Sequence, residues 1–120
     1  MKISLIIPCF NEEQNLPLLI KKLEKLKNNN SFEIIIVENG SSDNSLSIIK
    51  SLKSKFLNLK LVEIKQNKGY GHGIIQGLKK AEGDLLAWTH ADMQTNPLDI
   101  LNGLNFFNET ENKIFVKGIR

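Results

Sequence analysis

At 120 residues, with 41% hydrophobic and 24% charged positions, the chain has the length and composition of one small globular domain, which argues against disorder. Sixteen basic against thirteen acidic residues leave a charge of only +3, too mild a balance to point to nucleic acid, and the lysines at 21, 22, 25 and 27 read as a solvated helix face. A single cysteine, Cys9, excludes an internal disulfide and fits a reducing compartment; no apolar run is long enough to span a bilayer, and the first one stops at Pro8, too early for a signal peptide.

In chain order, Ile3 to Ile7 is a β-branched apolar run of the kind expected for a strand covered on both faces. A polar exit, Pro8 to Glu12, leads into Leu16, Leu19, Ile20, Leu23 and Leu26 at helical spacing, with Pro17 tolerated in the first turn. The unit repeats: Glu33 to Val37 is a second buried strand, Glu38 to Asp43 a second polar exit rich in helix-capping residues, and Leu46, Ile49, Leu52 and Phe56 the apolar side of a second helix. Leu59 to Ile64 alternates like a third strand nearer an edge, and a third helix runs from the Gly69 to Gly73 segment through Ala81 and stops at Gly83. Leu85 to Trp88 reads as a buried fourth strand, Pro97 to Phe107 as a further helix, and Ile114 to Val116 as the start of a fifth strand.

Strand and helix alternate with short connections throughout, which predicts an α/β fold, a Rossmann-like doubly wound and mostly parallel sheet. In such sheets ligands bind outside the carboxyl ends of the strands, where strand order reverses. The polar clusters Pro8 to Glu12, Glu38 to Asp43 and His90 to Gln94 all follow predicted strands, so all are expected on one sheet edge. "GYGHG" at 69 to 73 is not a dinucleotide fingerprint, because Ile74 stands where the third glycine belongs and the motif does not follow the first strand. Its glycines are read as serving close backbone approach or a tight helix start, and His72 as a surface residue. Cys9 is read as a small buried thiol rather than a nucleophile.

"IIPCFNEEQNLP" at 6 to 17, "IIIVENGSSDNS" at 34 to 45 and "NKGYGHGIIQGLKKAEGDLLAWTHADMQTNP" at 67 to 97 together resemble the nucleotide-binding half of family 2 glycosyltransferases of the GT-A fold, and in particular the polyprenyl-phosphate sugar transferases of the dolichol-phosphate mannose synthase kind. The resemblance implies that residues 1 to 120 form one nucleotide-sugar-binding domain, truncated before the acceptor half that supplies a general base and any membrane anchor. It implies a GDP- or UDP-linked sugar donor, a polyprenyl phosphate or glycan acceptor, no nucleic acid partner, inversion at the anomeric carbon, and a cytoplasmic location, at the membrane face where downstream segments provide an anchor.

Residue by residue, the resemblance sets Pro8, Phe10 and Glu12 beside base and ribose, with Phe10 offering a stacking face and Glu12 an acceptor. Asn39 matches a family aspartate that reads the base edge, and Val37 is expected in the same pocket. The corresponding structural roles are a helix N-terminal carboxylate for Glu12 and a turn residue for Asn39. "HADMQ" at 90 to 94 resembles the family motif DADLQ, whose carboxylates hold a divalent cation, Mg²⁺ or Mn²⁺, against the donor diphosphate. Asp92 is then the retained and catalytic carboxylate, with Ala91 against the donor and Gln94 a supporting metal-side group. His90 replaces the first aspartate, and it ligates the metal, hydrogen-bonds the diphosphate while Asp92 alone touches the metal, or is a satisfied histidine beneath the pocket; the second reading is preferred. Lys68 and Arg120 are assigned to phosphate contacts. The competing reading of the whole is a nucleotide-binding module without transferase activity, in which His90 marks a degraded metal site.

Overall fold

The computed structural model describes residues 1–94, 96–104 and 116–117. Its strands are β1 (Ile3–Cys9), β2 (Phe32–Asn39), β3 (Leu59–Ile64) and β4 (Leu85–Trp88); its helices are α1 (Leu16–Leu23), α2 (Ser45–Leu52), α3 (Tyr70–Lys80) and a short α4 (Ile100–Gly103). Every paired strand is parallel and the order is β3-β2-β1-β4. The chain therefore winds outward from β1 through β2 to β3, then crosses back to place β4 on the other side of β1. That reversal makes the crevice at the carboxyl ends of β1 and β4 the topological switch point.

The α/β fold and its doubly wound parallel sheet are as the periodicity predicts. β1 and β2 are buried along their whole lengths, which is why both read as almost unbroken apolar runs. On one face Leu5, Ile7, Ile34 and Ile36 meet Leu16, Leu19 and Leu23 of α1 and Ile49 and Leu52 of α2. On the other face Ile6, Ile35 and Val37 lie beneath α3, joined by Leu78 and Ala81. Gly77 allows that approach: a Cβ there would stand 2.6 Å from Ile6 Cγ2 and 2.9 Å from Val37 Cγ2. Pro17 sits in the first turn of α1, where the missing N–H costs nothing.

Two expectations change in detail. β4 is a half-exposed edge among the described residues rather than a buried strand: Leu86 is 52% and Trp88 44% exposed. Four apolar residues in a row hide the alternation that would have marked an edge, and α3 lies over β1 and β2 rather than β4. The helix expected from Pro97 begins as a 3-10 turn, Pro97–Asp99, capped by Asn96, which accepts from Leu98 N at 3.0 Å, and continues as α4. Its remainder to Phe107, and residues 114 and 115 of the expected fifth strand, lie outside the described residues. Among the described residues no helix is long and apolar enough to cross a membrane.

Candidate functional site

The loops after β1 and β2 interlock. Asn11 adopts a left-handed φ of 51°, a conformation asparagine tolerates better than most residues. Its backbone N–H donates to Ser41 Oγ at 2.9 Å, and its side-chain Oδ1 accepts from Ser42 N at 2.8 Å. Glu12 N donates to the fully buried Ser45 hydroxyl at 2.9 Å, and Glu13 N to Asp43 Oδ2 at 3.2 Å. Asp43 in turn accepts from Ser45 N at 2.9 Å. Partial desolvation would raise the Asp43 carboxyl, but the hydrogen bonds from the Ser45 hydroxyl and from backbone N–H groups outweigh it and hold it below the usual range. Glu38, buried at the end of β2, accepts from Ser41 N at 2.9 Å and so closes its own loop. Much of the second polar cluster is thus spent holding the first loop in place.

What that seam holds open is a cavity of roughly 230 Å³ at the switch point. Pro8, Cys9, Phe10 and Glu12 line it from the end of β1 and the loop after it, Asn39 from β2, Asn67 and Tyr70 from the turn into α3, and His90, Ala91 and Asp92 from the loop after β4. Complete small-molecule sites span about 300–1,000 Å³, so this volume corresponds to part of a ligand's envelope. Phe10, 45% exposed, presents an apolar ring at its rim. One Glu12 carboxylate oxygen accepts from Asn15 Nδ2 at 2.7 Å, so this carboxylate also steadies the entry to α1. Asn39 is 2% exposed; its Nδ2 donates to Gly69 O at 3.2 Å while its Oδ1 is buried without a hydrogen-bond partner. The Gly69 carbonyl determines which end of the amide faces it, so the oxygen is left as an unmet acceptor.

Burial pushes the Cys9 thiol up to about 12, assisted by Glu38, Glu12 and Asp43 against a lowering hydrogen bond with Ser45. A thiol so weakly acidic is no nucleophile near neutral pH, as expected for a small buried cysteine.

After β4 the backbone turns sharply. Thr89 N still donates to Ile6 O at 3.0 Å, Met93 takes a left-handed φ of 63°, and Asp92 Oδ1 accepts from Gln94 N at 3.1 Å. The His90 imidazole stacks on the Tyr70 ring, with centroids 5.1 Å apart and planes 12° from parallel. Among the described residues no group of three or more His, Cys, Asp or Glu side chains is arranged to hold a metal. Asp92 on the cavity wall is a single oxygen donor of the kind that could hold a hydrated Mg²⁺ or Mn²⁺, an ion that keeps several waters and takes substrate phosphates as ligands.

The remaining expected site residues stand elsewhere. Val37 is fully buried beneath α3, packed near Gly77, and is not on the cavity wall; it shares the α3-covered face with Asn39 but lies one pleat deeper along β2, short of the carboxyl end where the cavity opens. Lys68 and Gln94 are exposed and outside the wall, Gln94 contributing its backbone N–H to Asp92. Arg120 lies outside the described residues. Sequence reasoning did not single out Asn67 and Tyr70 as wall residues. The Asn67-Lys68-Gly69 turn is the available signal: Asn67 Oδ1 accepts from Gly69 N at 2.7 Å, and Gly69 has a φ of 106°.

A second cleft, about 220 Å³, lies at the other end of the sheet between Lys2, Phe32, Glu33, Asn58 and Lys60. Its buried carboxylate, Glu33, is already occupied by an ion pair with Lys60 and hydrogen bonds from the Ser4 hydroxyl and Glu82 N.

Residues 4–120 match the family model described as glycosyl transferase family 2. The chain is 33% identical over 97 residues to the dolichol-phosphate mannosyltransferase of Pyrococcus furiosus, covering 81% of this chain and 27% of that protein. It is 36% identical over 105 residues to the undecaprenyl-phosphate 4-deoxy-4-formamido-L-arabinose transferase of Proteus mirabilis, covering 82% of this chain and 31% of that one. It therefore spans about a quarter to a third of the length of these relatives. Among solved structures, S. aureus TarS 1-349 in complex with UDP-GlcNAc superposes with a TM-score of 0.73 at 29% identity, over 88% of this chain and 31% of that one. A parallel β3-β2-β1-β4 sheet, a polar cavity at its switch point and a family match over nearly the whole length agree: the chain belongs to glycosyl transferase family 2.

Proposed function

We propose that the protein containing these residues transfers a hexose from a GDP- or UDP-linked donor to a polyprenyl phosphate or glycan acceptor, with the donor seated in the switch-point cavity. The observation that carries this reading is the convergence of Phe10, Glu12 and Asn39 with His90 and Asp92 on one small cavity in a family 2 chain. The names of the relatives, which act on dolichol phosphate and undecaprenyl phosphate, supply the acceptor class. UDP-GlcNAc in the TarS complex supplies the donor class. A lipid phosphate acceptor would bring the reaction to a membrane surface, in our reading its cytoplasmic face.

In this reading the Phe10 ring stacks on the base, Asn39 Oδ1 accepts a base N–H, and Glu12 accepts from a ribose hydroxyl. Asp92 and His90 face the diphosphate, Asp92 toward a cation and His90 toward the diphosphate oxygens. Mg²⁺ or Mn²⁺ bound there would offset the charge that grows on the departing nucleoside diphosphate. The acceptor oxygen attacks the anomeric carbon as the bond to the diphosphate oxygen breaks, which inverts that centre. Ala91, buried between His90 and Asp92, keeps the floor close to the phosphates.

A thermal-shift panel with UDP, GDP and CDP, each with and without Mn²⁺ or Mg²⁺, tests this. One nucleotide at a hundredfold excess over its Kd stabilises by roughly 2.7 kcal/mol, and the shift is expected to require the cation. Equal stabilisation with and without metal favours the second reading, a binding module in which His90, engaged with Tyr70, has replaced a metal ligand. Absence of any shift in the full-length protein sinks both.

A further inference from the structure

The Tyr70–His90 ring pair joins two elements that meet nowhere in the sheet ladder, the first residue of α3 and the loop that leaves β4. The α3 side of the contact is well anchored. Gly69 takes a φ of 106°, its N–H donates to Asn67 Oδ1 at 2.7 Å, and its carbonyl accepts both Asn39 Nδ2 and Gly73 N at 3.2 Å. Gly73 and Gly77 then bring α3 so close to the sheet that added Cβ atoms would lie 3.1 Å from Asn39 Nδ2 and 2.6 Å from Ile6 Cγ2. Tyr70 is therefore presented from a helix start that cannot easily shift. His90 comes from a different kind of place: the β1–β4 ladder bonds end with Thr89, and beyond it the backbone is shaped by a local turn around Met93.

From this juxtaposition we infer that Tyr70 is a positioning residue of the donor site: its ring sets the plane of the His90 imidazole, so that the imidazole edge, where both ring nitrogens lie, meets the diphosphate side of the cavity beside Asp92. Stacking uses the faces of an imidazole and leaves its in-plane nitrogens to their own hydrogen bonds. A histidine in place of a carboxylate is useful at a diphosphate only when its plane is held, because an imidazole reaches a ligand in two in-plane directions where a carboxylate spreads over several lone pairs. The inference rests on the donor-site reading above.

The test uses the full-length protein with labelled histidine, wild type and the variants Tyr70→Phe, Tyr70→Leu and Tyr70→Ala. These 120 residues contain His72 and His90, and the single variants His72→Gln and His90→Gln each identify their own signal within the full-length spectrum. In wild type and Tyr70→Phe the His90 ring protons carry the displacement caused by a stacked aromatic ring; in Tyr70→Leu and Tyr70→Ala that displacement disappears while the His72 signals stay. Kd values for UDP and GDP are then measured with and without Mn²⁺. Loss of the stack is expected to weaken metal-dependent binding by about threefold to tenfold, to change metal-free binding less, and to be rescued by phenylalanine. His90 signals that do not move in Tyr70→Leu overturn the inference, as does unchanged metal-dependent affinity once the stack is lost. Wild-type protein that binds neither nucleotide with Mn²⁺ overturns the donor-site reading and this role with it, whereas normal wild-type binding that ignores Tyr70 removes only the role given to Tyr70.

Discussion

Glu33 and Asn39 sit at opposite ends of β2, on the same α3-covered face and equally buried at 2% exposure, yet their surroundings differ completely. Both carboxylate oxygens of Glu33 have partners, Oε2 in hydrogen bonds and Oε1, which makes no hydrogen bond, in an ion pair with Lys60. The Ser4 hydroxyl and Glu82 N donate to it, Lys60 pairs with it, and Gly83 N donates to Ser4 Oγ at 2.8 Å, so the turn before β4 is tied to β1 and β2 together. Asn39 makes one side-chain bond, to Gly69 O, and keeps a buried acceptor oxygen unmet at a cavity wall. An unmet buried polar atom costs stability of order 1–3 kcal/mol, and such a cost at a strand's carboxyl end is what a ligand can relieve. One end of the strand completes the fold, and the other leaves chemistry to be completed.

The largest effect that could break this contrast is at Glu33. Replacing it by alanine strands Lys60 and the Ser4 and Glu82 donors and is expected to cost about 3 kcal/mol, near the low end for a broken buried pair because Lys60 is partly exposed and can turn to water. Urea unfolding measures it, and nucleotide affinity should not change; a loss below about 0.5 kcal/mol, no more than an ordinary surface substitution, would show that the network contributes little. The same carboxyl gives a pH signature. Burial pushes it up, but the Glu82 N–H, the Lys60 ammonium and the Ser4 hydroxyl together hold it below its ordinary 4.5. Its stabilising contribution is therefore fully present above 4.5 and is lost as the pH falls through the lowered folded value. Acid titration of Glu33→Gln should lack that part of the wild-type loss; superimposable acid curves would contradict the assignment.

Next in size is Asp92→Asn in the full-length protein. The amide oxygen can still accept from Gln94 N and keep the turn, but the charge is gone, so sugar transfer should fall on the order of a hundredfold with little change in melting temperature. Full activity in the variant would remove Asp92 from the diphosphate site. The smallest functional effect is expected of Asn39→Ala, which should weaken nucleotide binding about tenfold, as expected where a ligand N–H loses its partner, and cost about 1 kcal/mol of stability, the worth of one ordinary hydrogen bond. The opposite result, a large stability loss with binding intact, would make Asn39 a second Glu33 and erase the distinction between the two ends.

Much of this layout was readable from the chain alone. Strands buried on both faces must be apolar at every position, so "ISLIIPC" and the core of "FEIIIVEN" declare themselves, and right-handed crossovers between parallel strands leave few topologies. Because parallel strands end at one edge, the polar residues that follow them are bound to share it, and Pro8, Phe10, Glu12, Asn39, His90, Ala91 and Asp92 do line one cavity. Other features depended on distance in space without proximity in sequence. Ser4, Glu33, Lys60 and Glu82 form one network although 29 residues separate the first pair. Tyr70 meets His90 because strand order reverses, not because anything in "GYGHG" points to it. Periodicity likewise could not say that the cavity begins only at Asn39 and leaves Val37, on the same face, sealed beneath α3, nor that the all-apolar β4 shows Leu86 and Trp88 to solvent.

The sequence by itself determined the α/β alternation, the edge on which polar loops collect and the family to which those loops belong, because each of these follows from local periodicity and from residues adjacent in the chain. Only the tertiary structure decided which loops interlock, which buried polar groups are satisfied and which ring stacks on His90, because those outcomes depend on how closely glycines let α3 approach the sheet and on which side of β1 the fourth strand is laid.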